Sequence, residues 1–452
     1  MPTTECIAQL TLGFHPKLPV EVAFDAPQTS SDGGWLLLRE VDDRIRLSSW
    51  FAQCLPDARA QDRTQHDRLE QVRQRLYQIA LGYEDCNDAD VLRSDPLLNV
   101  VCGRSVSDGA GLSSQPTLSR FENAIDPRSL RRLLGTFETA YVEALAPDTE
   151  VVVLDIDTTD DATHGAQQLT FFHGFYDHYM YHPMLVFDGQ SGELISAILR
   201  PGNTHAARGA LGVLRRLIRT IKSRFPNAQI VVRADSGFCV PRILKGLEQL
   251  DAELGGVDYV LGLAKNPVLL KMIGPALGRA EERFAETHRH VRDITAFWYA
   301  AATWSRERRV IAKAEYSEKG PNPRFVVSTL TEFSAELLYD AYCDRGQCEN
   351  FIKDLKNALC ADRLSCSSFV ANSFRLMLHG AAYRLMLALR NEVKPIDAEL
   401  GRRQFDTLRL ALLKVSAIVM QSARRILVRL PTSFPLAQRF RAIAERLRAP
   451  PI

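Results

Sequence analysis

The fold of this chain is indicated most strongly by one stretch, Val151-Val-Val-Leu-Asp155-Ile-Asp157-Thr-Thr159, in which a mainly β-branched apolar run ends in carboxylates. Such a run predicts a buried strand. A second run, Gln229-Ile-Val-Val-Arg-Ala-Asp235, repeats the pattern and also ends on a carboxylate. Two strands that each end in an aspartate can bring these carboxylates together at the edge of a sheet.

Further strands are predicted around these two runs. Residues 169–176 and 184–199 follow the first run, a basic helix is expected at about 206–224, and another strand is expected at 259–263. Three hairpin-like strands followed by alternating helices and strands predict an α/β fold with a ribonuclease-H-like, mixed five-stranded catalytic core.

The remaining sequence divides into regions of different pattern. Residues 1–149 have a mostly helical pattern, and residues 391–452 indicate a basic region of amphipathic helices. Between 264 and 338, three strand-like runs joined by charged or Gly/Pro turns predict a β-rich insertion. The predicted core therefore comprises 150–263 and 339–390, interrupted by that insertion.

Composition places the chain among globular proteins. It has 452 residues, of which 46% are hydrophobic and 24% are charged. No apolar run approaches the length of a membrane span, and the first six residues lack the basic-then-apolar pattern of a signal peptide. We therefore expect a cytoplasmic, nucleoid-associated protein with no membrane partner.

The net charge is only +2, but the basic residues are unevenly distributed. From Gly401 to Ile452 the chain has eleven arginines and lysines against two acidic residues. A second cluster lies on the predicted helix at 206–224 and consists of Arg208, Arg215, Arg216, Arg219, Lys222 and Arg224. Either cluster alone is typical of a solvated surface, but together with an acidic site they favour a DNA partner.

A short helix is predicted within the N-terminal region, where Ser114 can cap a helix with Pro116 in its first turn. After a Gly-rich turn, this helix would expose Arg120 together with other polar side chains, which suits a reader of the DNA major groove. Many ordinary helices begin in the same way, so both interpretations stay open.

Another stretch, Tyr342-Cys-Asp-Arg345-Gly-Gln-Cys-Glu349, sets a carboxylate among cations. In a single helix its tyrosine, arginine and glutamate, followed by Lys353 and Lys356, recur at steps of three and four residues and share one side. That side can hold a metal ion and a phosphate together. The alternative is an exposed helix with i,i+4 salt bridges.

The candidate catalytic residues and metal ligands are Asp157, Asp235 and Glu349. Three carboxylates in one place repel one another unless cations bind between them. Two Mg²⁺ ions about 3.5–4 Å apart would activate an attacking oxygen and stabilise the leaving oxygen during displacement at phosphorus. Asp155 remains an alternative first ligand, because residues two apart on a strand point to the same face.

At these residues the chain resembles bacterial insertion-sequence DDE transposases, in the branch with the pattern Tyr-x2-Arg-x3-Glu-x6-Lys. The four positions of that pattern are matched by Tyr342, Arg345, Glu349 and Lys356. The family's first aspartate precedes two threonines, as Asp157 does here, and the β-rich insertion before the glutamate also matches. The resemblance covers most of residues 151–386.

The resemblance implies a DNA transposase that cuts at the ends of an insertion sequence and moves it by a cut-and-paste route. It implies two Mg²⁺ ions on the three carboxylates, with Mn²⁺ as a substitute. The residues that would contact the DNA strand are Tyr342, Arg345, Lys353 and Lys356. An aromatic residue of the insertion would stack on an expelled base, with Trp298 and Trp304 as candidates; a core position is the alternative for each.

Double-stranded DNA is the implied partner, as terminal inverted repeats bound by the N-terminal region and as target DNA. A homodimer would pair two ends with help from the basic C-terminal region. Two other functions stay open: a ribonuclease-H-like nuclease without strand transfer, and a non-catalytic DNA-binding protein derived from a transposase.

Overall fold

The computed structural model describes residues 10–106, 109 and 111–448. The first six residues, on which the expected location partly rests, lie outside the described residues. The described parts of the chain form two compact units. The first draws on Met1–Ala52, Asp57–Phe121 and Ala388–Ile452, and the second comprises Gln53–Pro56 and Glu122–Leu387.

Up to residue 144, the described residues are mainly helical, with short strands at the start. The strands are β1 (Leu10–Leu12), β2 (Val20–Val22) and β3 (Thr29–Ser30). The helices are α1 (Trp35–Ile45), α2 (Leu47–Gln53), α3 (Arg68–Ala80), α4 (Asp88–Leu92), α5 (Pro96–Cys102), α6 (Gln115–Asn123) and α7 (Pro127–Ala144), with a 3₁₀ turn at Gln61–Arg63. Asp67, Asp95 and Asp126 cap α3, α5 and α7, because their carboxylates accept hydrogen bonds from backbone N–H groups of the first turn.

Both runs that indicated the fold are strands. From residue 151 to 263 the elements are β4 (Val151–Thr158), β5 (Asp161–Ala162), β6 (Phe171–His173), β7 (His178–Tyr181), β8 (Met184–Asp188), β9 (Leu194–Ile198), α8 (Ala210–Arg224), β10 (Gln229–Ala234), α9 (Pro241–Leu254) and β11 (Val257–Leu263), with a 3₁₀ turn at Ser236–Phe238. The predicted strand at 169–176 does not join the main sheet. It contributes only β6, which pairs with β7 in a separate three-stranded sheet of order β5-β7-β6.

The segment predicted as a β-rich insertion contains a long helix as well as strands. Its elements are α10 (Pro267–Thr287), β12 (Val291–Tyr299), β13 (Arg308–Ser317), β14 (Gly320–Pro321) and β15 (Arg324–Ser328). The helix was not predicted, although Asn266 and Pro267 provide a start signal: the Asn266 side chain accepts a hydrogen bond from Leu269 N at 2.9 Å.

The main sheet is larger than the five strands expected from the sequence. It has nine strands, in the order β12-β13-β15-β11-β10-β4-β8-β9, and β14 pairs with β13. Strand β4 runs parallel to β10 and antiparallel to β8, and β10 runs parallel to β11. Strand β15 pairs antiparallel with β11, so the insertion continues the sheet instead of forming a separate one.

The stretch from Tyr342 to Lys356 is not one helix, in contrast to the prediction. It is divided among α11 (Ala335–Cys343), α12 (Gly346–Lys353) and a π-helical turn at Asp354–Ala358. The interruption falls at Asp344 and Arg345, just before Gly346, a residue that weakens a helix interior. Helix α13 (Phe369–Val393) follows, and no helix of the described residues is both long and apolar enough to cross a membrane.

The C-terminal region is only partly helical, which corrects the prediction of amphipathic helices there. After a 3₁₀ turn at Leu400–Arg402 come α14 (Phe405–Leu408), a π turn at Arg409–Leu413, β16 (Ala417–Gln421), β17 (Ile426–Arg429) and α15 (Ala437–Arg448). The two strands form a hairpin, and β16 also pairs with β3 of the N-terminal region. The apolar run around Ile418 therefore belongs to a strand.

The second basic cluster lies on α8 except for Arg208, which precedes the helix, and the opposite face of α8 packs into the main core. Arg216 pairs with Glu138 at 2.6 Å, and Arg219 pairs with Glu253 at 2.9 Å. The Lys222 ammonium donates to the backbone oxygen of Ala228 at 2.6 Å. These three cations are engaged by the protein's own acceptors, so a contact of these side chains with DNA would have to replace those partners.

Two glycines provide a matched test of how α8 packs on α9. A side chain at Gly246 would overlap the buried side chain of Leu211, whereas one at Gly212 would meet nothing within 4 Å. We expect Gly246→Ala to lower the free energy of unfolding, because overpacking costs about 1–3 kcal/mol. We expect Gly212→Ala to raise it by up to about 1 kcal/mol through helix propensity. Thermal unfolding of both variants measures the difference, and equal shifts would contradict this packing.

Candidate active site

The site lies in the second unit, where two neighbouring parallel strands end. Ile156 of β4 is opposite Ala234 of β10, so Asp157 and Asp235 are the residues that follow this pair on the two strands. Asp235 caps the following 3₁₀ turn, because its carboxylate accepts a hydrogen bond from Gly237 N at 2.9 Å. The parallel register therefore places two of the three predicted carboxylates side by side at the carboxyl edge of the sheet.

Asp157 is largely buried between a second carboxylate and a guanidinium. Its side chain is 14% exposed. Burial raises its pKa to about 6, and the nearby Asp235 carboxylate adds to the rise, while the Arg345 guanidinium opposes it. Arg345 donates from Nη1 to Asp157 Oδ2 at 2.8 Å, and Thr158 N donates to Asp157 Oδ1 at 2.8 Å. Burial and the neighbouring Asp235 thus disfavour the charged form of Asp157, and the Arg345 guanidinium favours it.

Glu349 lies on α12, and its carboxylate and that of Asp157 both lie near the Arg345 guanidinium. The Arg345 Nη2 atom is 4.0 Å from Glu349 Oε1, and the Glu349 side chain is 61% exposed. Within residues 10–106, 109 and 111–448, no three His, Cys, Asp or Glu side chains are arranged to hold a metal ion. The structure thus brings Asp157 and Asp235 together and leaves Glu349 at the rim, with a guanidinium between it and Asp157.

Asp155, the alternative first ligand, forms an ion pair with Arg233. It is fully buried, and the Arg233 guanidinium donates to both of its carboxylate oxygens at 2.6 and 2.7 Å. The two residues are opposite each other in the β4–β10 register, and Arg233 also donates to the backbone oxygen of Ala341 at 2.8 Å. Arg233 was not identified from the sequence, although a charged residue within an apolar strand is a signal for a buried partner.

Tyr342 and Arg345 converge on the same edge of the sheet. The Arg345 guanidinium lies 5.9 Å from the centre of the Tyr342 ring. A Cβ atom at Gly262 would lie 2.6 Å from the Tyr342 hydroxyl and 3.0 Å from Ser236 N, so the glycine leaves room for that hydroxyl beside the turn after Asp235. Burial raises the pKa of Tyr342, and the charge of Asp235 adds to the rise.

The two lysines of the pattern have different environments. Lys356 is half-buried in the π turn, and its ammonium donates to both the backbone oxygen and the carboxylate of Asp160 at 2.8 Å. Lys353 is exposed at the end of α12. Lys356 thereby connects the π turn to the segment that directly follows β4.

A cationic cleft of about 400 Å³ adjoins the turn after Asp235. Its lining residues include Ser236, Lys265, Lys313, Arg324, Tyr339 and Tyr342. Lys313 and Arg324 were not identified from the sequence, because no local pattern connects strands of the insertion to Asp235. Lys313 pairs with Glu315 at 2.5 Å.

The remaining predicted DNA-binding residues are dispersed. Trp298 lies on β12 and is 57% exposed. Trp304 is partly buried against the core, with the Arg308 guanidinium 4.9 Å from its ring centre. Arg120 lies on α6 in the first unit, where its Nη2 donates to Thr117 Oγ1 at 3.4 Å.

The chain is similar to a known family and to solved structures. The sequence model of the family "Transposase DDE domain group 1" matches residues 13–451. No curated protein matches the chain. The cryo-EM structure of the piggyBac transposase synaptic complex with hairpin DNA is similar, with 12% sequence identity, coverage of 92% of this chain and 82% of that chain, and a TM-score of 0.44.

Substitutions of the two aspartates of β4 should have different effects on stability. Asp155→Ala leaves Arg233 buried without its counter-charge, which costs about 3–5 kcal/mol. Asp157→Ala should cost much less, because it also removes the repulsion with Asp235 and leaves Arg345 near Glu349. Thermal unfolding without added metal measures both effects. Equal losses would show that the Asp155–Arg233 pair has no special role in the fold.

Proposed function

The chain belongs to the family Transposase DDE domain group 1, and we propose that it cuts DNA at the ends of an insertion sequence and joins those ends to target DNA by a cut-and-paste route. The observation that carries the proposal is the side-by-side placement of Asp157 and Asp235, with Arg345 and Tyr342 at the same edge of the sheet. Together with Glu349, these two are the catalytic carboxylates of the proposal.

The catalytic core of the proposal is of ribonuclease-H type. Its five strands are β9, β8, β4, β10 and β11 in spatial order, with an antiparallel hairpin on one side of β4 and parallel strands on the other. The proposed core comprises 150–263 and 339–390, with 264–338 as the insertion. Residues 1–149 and 391–452 would then serve DNA-end binding and pairing.

The donor set suits a divalent cation. Carboxylate oxygens are the ligands that Mg²⁺ prefers, with Mn²⁺ as a substitute, and the strand register sets the Asp157 and Asp235 carboxylates side by side. Asp157, Asp235 and Glu349 would hold two such ions, which supply an activated attacking oxygen and stabilisation of the leaving oxygen. Asp155 is not part of this set, because Arg233 already occupies both of its oxygens.

The chain's own cations would position the DNA strand. Arg345 presents a guanidinium at the carboxylates, where its fork of donors suits a phosphate, and the Tyr342 hydroxyl lies beside it. Lys353 and Lys356 extend this positive edge along α12 and the π turn.

Recognition of an expelled base and of the DNA ends would involve residues away from the carboxylates. Of the two insertion tryptophans, Trp298 has the exposed ring needed to stack on an expelled base, whereas Trp304 is engaged by Arg308. Arg120 of α6 would contact the terminal repeats. A homodimer would hold two ends together. The setting is the cytoplasm, in association with the nucleoid.

Removal of a proposed catalytic carboxylate should abolish cutting but not DNA binding. Residues that hydrogen-bond to metal ligands are typically worth about 10–100-fold in metal affinity or activity, so loss of a ligand itself by Asp157→Asn or Glu349→Gln should cost more than about 100-fold. Glu336→Gln, which alters an exposed glutamate of α11, is the matched control. The substrates are DNA duplexes that carry the sequences flanking the gene for this chain, one duplex for each side. The reaction contains Mg²⁺ or Mn²⁺.

The products of that assay distinguish the three functions. Cut and joined products support a transposase. Cutting without joining would instead identify a nuclease, and binding without any cutting by the unaltered chain would identify a non-catalytic DNA-binding protein.

Lys356 should contribute to binding of the DNA backbone. Lys356→Met should weaken DNA binding and reduce the slope of log affinity against log salt by about 1, because one phosphate contact is lost. Lys356→Arg should retain that slope. Lys271→Met, on the exposed face of α10, is the control and should leave the slope unchanged. An unchanged slope for Lys356→Met would remove this lysine from the interface.

A further inference from the structure

A small aromatic hairpin projects from the chain between β4 and β8. We name residues 169–181 the aromatic hairpin; it contains β6 and β7, with Phe172 opposite Tyr179. The rings of Phe172 and Tyr179 contact each other edge to face, with centres 5.7 Å apart, and the two side chains are 49% and 60% exposed. Phe175 at the tip is 84% exposed.

The base of the hairpin is held firmly on the second unit. Met180 and Tyr181 are fully buried, and the Tyr181 hydroxyl donates to the backbone oxygen of Gln168 at 2.8 Å. Gln168 N donates in turn to the backbone oxygen of Ser367 at 3.0 Å. A Cβ atom at Gly202 would overlap backbone atoms of both hairpin strands, so the backbone at Gly202 packs directly against them. The exposed rings therefore stand on a rigid support.

The hairpin lies next to the proposed catalytic carboxylates. Thr158 at the end of β4 pairs with Met184 at the start of β8. The chain between them therefore leaves the sheet at the edge where Asp157 lies. The small sheet begins with Asp161 opposite Tyr181, four residues after Asp157. The carboxylates of Asp160, Asp157 and Asp235 also add to the rise in the pKa of Tyr176 that burial causes.

We propose that the aromatic hairpin is a stacking surface for unpaired DNA bases next to the scissile phosphate, with Phe175, Phe172 and Tyr179 as its contact residues. This inference rests on the proposed function for its occupant. Exposed aromatic faces bind bases of any sequence, and apolar side chains can also wedge between base steps. Contiguous patches of exposed apolar side chains on soluble proteins mark interaction sites when they are large.

The position of the hairpin distinguishes it from the insertion tryptophans. Trp298 lies on β12, five strand positions from β4, which is about 24 Å across the sheet at the usual strand spacing. The aromatic hairpin instead follows β4 directly. The two surfaces would therefore contact different nucleotides, and the hairpin would contact those nearest the cut.

The test is binding of a forked duplex with 2-aminopurine in its unpaired arm, compared with a blunt duplex of the same sequence, in the presence of EDTA. Stacking is worth about 1–3 kcal/mol per base, which corresponds to about 5- to 150-fold in affinity. Phe175→Ala and Tyr179→Ala should each weaken forked-duplex binding by a factor in that range and restore the fluorescence of 2-aminopurine. The affinity for the blunt duplex should change by less than about threefold.

The control is Phe333→Ala, which removes another exposed phenylalanine of the second unit and should leave both affinities unchanged. Phe175→Leu keeps an apolar tip without an aromatic face and should behave like Phe175→Ala. Equal weakening on forked and blunt DNA, or no weakening on either, would overturn the stacking surface. Because metal and cutting are absent from this measurement, its failure is distinct from failure of the transposase proposal, which the cutting assay decides.

Discussion

The site depends on one constraint, the parallel pairing of β4 with β10 in a single register. Six residue pairs define that register, from Val151 opposite Gln229 to Ile156 opposite Ala234. Within it, the buried Asp155 carboxylate faces the Arg233 guanidinium. A shift by one residue would turn every side chain of a strand to the opposite face and would bury both charges unpaired, at a cost of several kcal/mol. The ion pair thus specifies the register, and the register places Asp157 beside Asp235.

Arg345 gives the acidic edge its own counter-ion. It lies between Asp157 and Glu349, and the charges of Asp157, Tyr342 and Asp235 raise its pKa against the effect of burial. In the free chain its single positive charge therefore offsets part of the repulsion between these carboxylates. A cation that binds at the same oxygens has to replace the contacts that Arg345 makes, which would release its guanidinium toward an incoming phosphate.

The sequence predicted the features that depend on local pattern, and it failed where distant pairing decides. The strands that end at Asp157 and Asp235 were predicted from their apolar runs, and the family was predicted from four spaced residues. The Asp155–Arg233 pair was missed because its members are 78 residues apart and meet only through strand register. In the C-terminal region, β16 becomes a strand through pairing with β17 and with β3, about 390 residues earlier in the chain. The continuous helix expected from Tyr342 to Lys356 was wrong: Gly346 is a local signal for its break, but the π turn has no spacing signal.

The pairing of β15 with β11 has a mechanical consequence. Four residue pairs, from Val260 opposite Ser328 to Leu263 opposite Phe325, join the insertion to the strand next to β10. An element tied in this way cannot swing as an independent lid, because each backbone hydrogen bond along the seam would have to break first. The wall that carries Lys313 and Arg324 is therefore fixed at the distance from Asp235 that the fold sets, and a nucleic acid entering this cleft has to adapt its own shape to fit.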